Sequence, residues 1–95
     1  MADVEITCVT KPHPESYFED ITELGNPKAG WKWPAKRVID SIEAGANTFF
    51  VRHPLTWQRS DLAVIRQEGK APYLRTHTDG VWNNLLLSMD ECPWT

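Results

Sequence analysis

The chain has 95 residues, of which 41% are hydrophobic and 24% are charged, and its net charge is -3. These values are typical of one globular domain over residues 1–95, and they exclude an intrinsically disordered chain. The acidic balance argues against long nucleic acid as a partner, because that binding needs a basic surface. We find no signal peptide and no apolar run long enough for a membrane, so we expect a cytoplasmic protein with no membrane contact.

The two cysteines, Cys8 and Cys92, lie near opposite ends of the chain. Free thiols are the usual state of cysteine in a reducing cytoplasm, and a buried thiol packs as a small hydrophobe. We therefore expect two free thiols, with a disulfide or a shared metal site as the alternatives. One pair of cysteines without a CxxC spacing does not favour a metal, so we expect neither a metal nor a cofactor.

The first half of the chain predicts two strands and one helix. Residues 4–9 alternate between apolar and polar side chains, as a half-buried strand does, and residues 17–24 predict a second strand before the turn at Gly25. Val38, Ile39 and Ile42 have helical spacing, so we expect a helix over residues 34–44.

The second half predicts a run of strands. Residues 47–52, 60–66 and 72–76 are rich in strand-forming residues and close enough in sequence for an antiparallel meander. Asp79-Gly80 is a turn signal, and the apolar run at 85–87 is expected to pack back across the sheet. The fold class is therefore α+β: a small, mostly antiparallel sheet of about five strands with one helix packed on it.

Four segments of the chain carry a resemblance to a known family: Ile6-Thr7-Cys8-Val9; Trp31-Lys32-Trp33 before a helix that ends Ile42-Glu43-Ala44-Gly45; Phe49-Phe50-Val51; and Tyr73-Leu74-Arg75-Thr76 with Asp79-Gly80, Asn83-Asn84-Leu85-Leu86 and Glu91-Cys92-Pro93. The chain resembles Domain of Unknown Function family 3892, a group of short bacterial and phage-encoded proteins. The resemblance implies no established activity. The phage setting suggests one hypothesis for a ligand-binding member: a sponge that sequesters a host immune signal.

The C-terminal segment contains polar side chains that would suit a ligand. Arg75 offers a planar fork for a carboxylate or phosphate, and His77 and Asn84 add hydrogen-bonding groups. Turn chemistry is the alternative explanation for the asparagines, and an ion pair with an acid on a neighbouring strand is the alternative for Arg75.

The segment 25–39 holds four bases and no acid, and Trp31, Lys32 and Trp33 lie within it. Aromatic faces stack on bases and lysine holds phosphate, so this composition is typical of a nucleotide-binding surface. The alternative is that the tryptophans pack the helix against the sheet while the lysines are solvated.

The connection from His53 to Arg59 is unusually apolar for a loop. Leu55, Trp57 and Arg59 have the composition of an interface anchor, which predicts protein contact. The alternative is that Trp57 folds over the sheet as a lid. Exposed edge strands would also allow pairing between subunits, so we expect a homo-oligomer.

Catalysis has little support in the sequence. None of the common nucleophile, zinc-protease, P-loop or dinucleotide motifs is present, and His77 and Asp79 have no nucleophile beside them, so we assign no catalytic residue. The leading hypothesis is a non-catalytic, oligomeric domain that captures a small anionic or nucleotide-like ligand. The second is a protein-interaction or inhibitor module that acts through residues 53–59, and a small hydrolase comes last.

Overall fold

A computed structural model describes residues 2–13 and 16–93. Within them lie one α-helix, nine strands and two short 3-10 helices, at Phe18–Asp20 and Leu85–Ser88. The regular elements are β1 (Ala2–Glu5), β2 (Cys8–Thr10), β3 (Glu23–Asn26), β4 (Trp31–Pro34), α1 (Ala35–Glu43), β5 (Asn47–Arg52), β6 (Arg59–Ile65), β7 (Tyr73–Thr78), β8 (Val81–Asn83) and β9 (Asp90–Glu91).

The strands form two sheets, with the orders β1-β5-β6-β7-β8 and β4-β3-β2-β9. The α+β class with one helix is confirmed, but the expected arrangement of a single, mostly antiparallel sheet is wrong. Both sheets are mixed, because β1 lies parallel to β5 and β9 lies parallel to β2. Each parallel pair joins segments far apart in sequence, and such pairs leave no turn signal.

The predicted strand over residues 4–9 is divided between the two sheets. The Ile6 amide donates to the Phe50 carbonyl oxygen at 2.8 Å, and the Thr7 amide donates to the Gly25 carbonyl oxygen at 2.9 Å. The chain therefore leaves one sheet and enters the other within two residues. Alternation of side chains continues through this crossing, so the pattern did not reveal the break.

The predicted strand over residues 17–24 is also wrong in its first half. Residues 18–20 form a 3-10 turn, in which the Tyr17 amide donates to the Asp20 carboxylate at 3.1 Å and Phe18 is buried. The strand begins only at Glu23. Gly25 then passes so close to β4 that an alanine Cβ would lie 2.5 Å from the Trp31 carbonyl oxygen.

The helix and the meander agree with their sequence patterns. The helix buries Val38 and Ile39, and Gly45 follows its end with a φ of 70°. The Gly45 amide donates to the Ile42 carbonyl oxygen, as at many helix ends. Strands β5, β6 and β7 lie within one or two residues of the predicted ranges, and each pair is antiparallel.

The core lies between the helix, the inner face of the five-stranded sheet and the second sheet. Its most deeply buried members share large apolar side chains: Ile6, Val9, Phe18, Leu24, Val38, Phe49, Val51, Leu74 and Leu86. Leu86 has no exposed surface, which confirms that the apolar tail packs back across the sheet. Burial of one such leucine contributes about 2 kcal/mol.

The expectation of two free thiols is wrong, because Cys8 and Cys92 form a disulfide. Parallel pairing of β9 with β2 places Cys8 opposite Asp90, and the Cys92 amide donates to the Val9 carbonyl oxygen at 3.1 Å. The pairing brings the two Cα atoms to 4.8 Å although 84 positions separate them. Neither end of the chain carries a local signal of this contact.

Over residues 2–13 and 16–93, we find no helix with the length and apolar character of a membrane span.

Candidate functional site

The connection between β5 and β6 is an ordered loop that turns its apolar side chains outward. The His53 amide donates to the Gln58 carbonyl oxygen, and the Trp57 amide donates to the His53 carbonyl oxygen, both at 2.9 Å. The His53 Nδ1 accepts the amides of Leu55 and Thr56 at 3.1 and 3.3 Å. Leu55 is nevertheless 85% exposed and Trp57 is 69% exposed.

Trp57 has a backbone φ of 62°, a left-handed conformation that bulky residues rarely adopt. Its carbonyl oxygen accepts a hydrogen bond from Arg52 Nη1 at 3.3 Å. Such a conformation costs about 1–2 kcal/mol relative to the ordinary regions. The Trp57 ring does not fold over the sheet, so the loop does not form the lid that was the alternative interpretation.

Arg59, the third residue of the predicted interface, lies at the start of β6 and is already paired. Its guanidinium donates to Asp3 at 2.6 and 3.0 Å and to Asp61 at 2.8 Å. It also lies over the Phe50 ring at 4.1 Å. The hydrogen bond from Arg59, followed by that from Thr48, lowers the pKa of Asp3 below its usual value.

A groove of about 780 Å³ runs beside this loop. The loop contributes His53, Pro54 and Trp57, and most of the remaining lining comes from the β1–β2 segment, the turn after β3 and the C-terminal segment. Three carboxylates, those of Glu5, Asp90 and Glu91, line it together with Lys28 and Arg52.

Arg75 and His77 lie on the same face of β7 and come together through a third residue. The Arg75 Cζ lies 5.5 Å from the Trp82 ring centroid, and the His77 and Trp82 rings are also 5.5 Å apart. The sequence interpretation did not include Trp82. The two-residue turn at Asp79-Gly80 places Trp82 directly opposite His77. The Asp-Gly sequence is typical of such a hairpin turn, so this pairing could have been predicted from the sequence.

The Trp31-Lys32-Trp33 segment is divided by the alternation of β4. The rings of Trp31 and Trp33 lie 5.6 Å apart and 6.3 and 6.1 Å from the Phe49 ring, so both pack against the core. Lys32 points to the other side of the strand, where its Nζ lies 3.5 Å from Glu23.

The two predicted halves of the ligand site therefore lie on opposite sides of the five-stranded sheet. The tryptophans of β4 contact Phe49, whereas Phe50 lies in one row with Asp61 and His77 on the opposite face. Consecutive strand residues point to opposite faces, so one small ligand does not reach both sets.

Asn84 directly follows β8 and immediately precedes the second 3-10 helix. Its carbonyl oxygen accepts the Leu87 amide at 3.0 Å. The neighbouring Asn83 has the structural role: its side chain accepts from the Thr76 hydroxyl at 2.8 Å and donates to the Ser60 hydroxyl at 2.9 Å.

The described residues do not assemble a nucleophile with a base. His53, Ser60 and Asp79 line a second hollow of about 610 Å³, but the Ser60 hydroxyl is buried and bonded to Asn83 and Thr78. The His77 Nδ1 accepts the Gly80 amide at 3.3 Å, which occupies the nitrogen that an orienting carboxylate would use. Residues 2–13 and 16–93 also contain no group of three or more potential metal ligands.

The family model for "Protein of unknown function (DUF3892)" matches residues 5–90. The chain belongs to this family. No curated protein and no solved structure matches the chain. Membership agrees with the resemblance carried by the Tyr73 to Leu86 segment, and it brings no activity with it.

Proposed function

We propose that this protein is a non-catalytic binding domain that recognises a protein partner through Leu55 and Trp57. The observation that carries the proposal is that both side chains are largely exposed on a loop with a hydrogen-bonded backbone. Large apolar side chains held in place before binding lose little conformational entropy when a partner covers them. Tryptophan is also among the residues that most often dominate binding energy at protein interfaces.

The groove beside the loop indicates the chemistry of the partner. The carboxylates of Glu5, Asp90 and Glu91 make no hydrogen bond or ion pair with any described residue, whereas Arg52 is engaged by the Trp57 carbonyl. The partner that fits is a protein segment with an apolar anchor for Trp57 and a basic side chain beside it. Opposite charges at the rim would mainly accelerate association.

The test compares Trp57→Ala and Leu55→Ser with a control, Tyr17→Ala. Tyr17 is an exposed aromatic residue at 53%, and it lies next to the 3-10 turn rather than on the loop. Partners are captured from the native host by cross-linking and then purified, and their affinity for each variant is measured directly. We expect each loop variant to weaken binding by at least tenfold, the usual effect of removing an interface anchor.

Equal affinity of wild type and Trp57→Ala would contradict the proposal. So would an equal loss in Tyr17→Ala, because the capture would then depend on general surface hydrophobicity.

The oligomeric state and the cellular location are two separate proposals. β1 and β8 are the edge strands of the five-stranded sheet, so pairing of either edge would give the expected homo-oligomer. Light scattering over a range of protein concentrations tests it, and a monomer at every concentration would contradict it.

A cytoplasmic location was proposed together with free thiols, and the disulfide removes that support, because such bonds persist mainly in oxidising compartments. Extraction under denaturing conditions with an alkylating reagent, followed by mass spectrometry, tests this point. Two alkylated cysteines in freshly extracted protein would favour the cytoplasm.

The small-ligand hypothesis is a separate proposal that depends on Arg75 rather than on this loop. Capture of a host signal by a phage-encoded member would be one use of such a site.

A further inference from the structure

Arg75 has no anionic partner among the described residues. Arg59 pairs with two aspartates, Arg66, just after β6, pairs with Glu43, and Arg52 donates to the Trp57 carbonyl oxygen. Arg75 makes no ion pair or hydrogen bond with any described residue. Its side chain is half-buried, and its Nε is shielded from solvent without an acceptor. A guanidinium that has lost part of its hydration without gaining an anion is unfavourable, so an anion that reaches its Nη groups would bind favourably.

Two aromatic rings hold this guanidinium in place. Its Cζ lies 5.2 Å from the Phe18 centroid and 5.5 Å from the Trp82 centroid. Phe18 is 2% exposed and forms the inner side, whereas Trp82 is 46% exposed and forms the outer side. These cation–π contacts offset part of the lost hydration, but ring faces do not satisfy the N–H donors of the guanidinium.

His77 supplies a second donor beside the same tryptophan. Its Nδ1 accepts the Gly80 amide, so the proton of the neutral ring resides on Nε2. The nearest acid by register is Asp61, which lies opposite His77 on β6. Asp61 accepts a hydrogen bond from Arg59 Nε at 2.8 Å, so that acid already has a cationic partner.

We propose that Arg75, His77 and Trp82 form a binding site for a small planar anion, an aromatic ring that carries one phosphate or carboxylate group. The guanidinium holds the anionic group through paired N–H donors, and the imidazole N–H adds a third. The exposed indole face of Trp82 stacks on the ring of the ligand. The site is independent of Leu55 and Trp57.

The test uses the full chain in calorimetric titrations at low salt, with adenosine monophosphate and benzoate as the phosphate and carboxylate probes. Adenosine and inorganic phosphate are the half-ligands. We expect at least one ring-bearing anion to bind at least tenfold more tightly than either half-ligand, and added salt to weaken that binding. Absence of binding for both ring-bearing anions overturns the proposal, as does inorganic phosphate binding equally well.

The matched variants are Arg75→Gln and Arg37→Gln. Arg37 also lies over a tryptophan, 4.0 Å from the Trp33 centroid, but it is exposed on the helix. We expect Arg75→Gln to weaken binding at least tenfold, while Arg37→Gln and Trp57→Ala bind as wild type does. Equal binding by Arg75→Gln, or an equal loss in Arg37→Gln, overturns the assignment.

A merely structural role for Arg75 predicts a different result for Arg75→Met. If the arginine served the fold, removal of its charge would lower the melting temperature. We expect the melting temperature to stay the same or rise while binding is lost, because the methionine removes an unpaired charge and keeps the packing on Phe18. A lower melting temperature together with wild-type binding would overturn the proposal.

Discussion

The tryptophans of β4 and the tryptophan of the β5–β6 loop have opposite surroundings. Trp31 and Trp33 lie against each other and against Phe49, half-buried at the edge of the core. Trp57 is 69% exposed, and its backbone amide and carbonyl oxygen are hydrogen-bonded to His53 and Arg52. In the sequence, all three stand within a few residues of a proline and an arginine or lysine.

The difference shows that aromatic residues beside basic ones do not by themselves identify a binding surface. On β4, alternation places both rings on the face that meets the core and sends Lys32 to the other side. In the loop, the apolar side chains have no opposing layer, so they stay in solvent. The first arrangement stabilises the fold, and the second leaves a surface for a partner.

The largest expected effect concerns the disulfide, which ties the sheet that carries Trp31 and Trp33. Loss of a cross-link that closes a loop of this length costs about 4 kcal/mol. We expect the Cys8→Ala/Cys92→Ala double variant to lose that much free energy of unfolding in urea titrations. Reductant should destabilise wild type to a similar extent and leave the double variant unchanged. If reductant did not change the free energy of unfolding of the wild type, the disulfide would not contribute to its stability.

The next effect compares the two kinds of tryptophan directly. Trp33→Ala removes a half-buried ring from Phe49 and Arg37, so we expect a loss of about 2–3 kcal/mol in the free energy of unfolding. Trp57→Ala removes an exposed ring and should change stability by less than about 0.5 kcal/mol. Urea titration measures both variants. Similar losses in both would remove the distinction between the two regions.

A different substitution of Trp57 is expected to stabilise the fold slightly. Trp57→Gly relieves the left-handed backbone at φ 62°, where glycine fits without strain. We expect the variant to unfold at a slightly higher temperature, with a gain of at most about 1 kcal/mol, because glycine also increases the entropy of the unfolded chain. Its partner affinity should fall as in Trp57→Ala. A lower melting temperature than that of Trp57→Ala would show that the loop is not strained at this residue.

The smallest effect concerns Arg59, a predicted interface residue that pairs with Asp3 and Asp61. Arg59 lowers the pKa of Asp3, so the pair stabilises the fold above the pKa of Asp3 in the unfolded chain. This contribution disappears as the pH falls through the lowered pKa of the folded state. Because both groups are partly exposed, we expect less than about 1 kcal/mol.

Urea titrations between about pH 6 and pH 3 should show this loss in wild type and not in Asp3→Asn. Identical slopes for the two proteins would show that the pair contributes nothing measurable.

Much of the fold was predictable where the signals were local. The helix could be located from the spacing of Val38, Ile39 and Ile42 and from Gly45, because these residues act within one or two turns. The meander of β5, β6 and β7 followed from its strand-forming runs and short connections. The second sheet could not be predicted, since its pairing of β2 with β9 joins the two ends of the chain. The same long-range pairing explains why the disulfide was missed.

The candidate site was predicted in part. Arg75 and His77 share a strand face because they are two apart, and the structure places them beside one ring. The alternative for Arg75, an ion pair with an acid on a neighbouring strand, is absent from the described residues. The Trp31 to Trp33 segment was joined to this site by composition alone, and composition does not tell on which side of a sheet a residue lies.

The sequence by itself determined the α+β class, the helix, the meander and membership of the family, because each depends on spacing along the chain or on motifs in it. Only the tertiary structure decided which tryptophans are covered, which arginines are paired and that the two cysteines meet. These properties depend on what lies opposite a side chain, and that neighbour comes from a distant part of the chain.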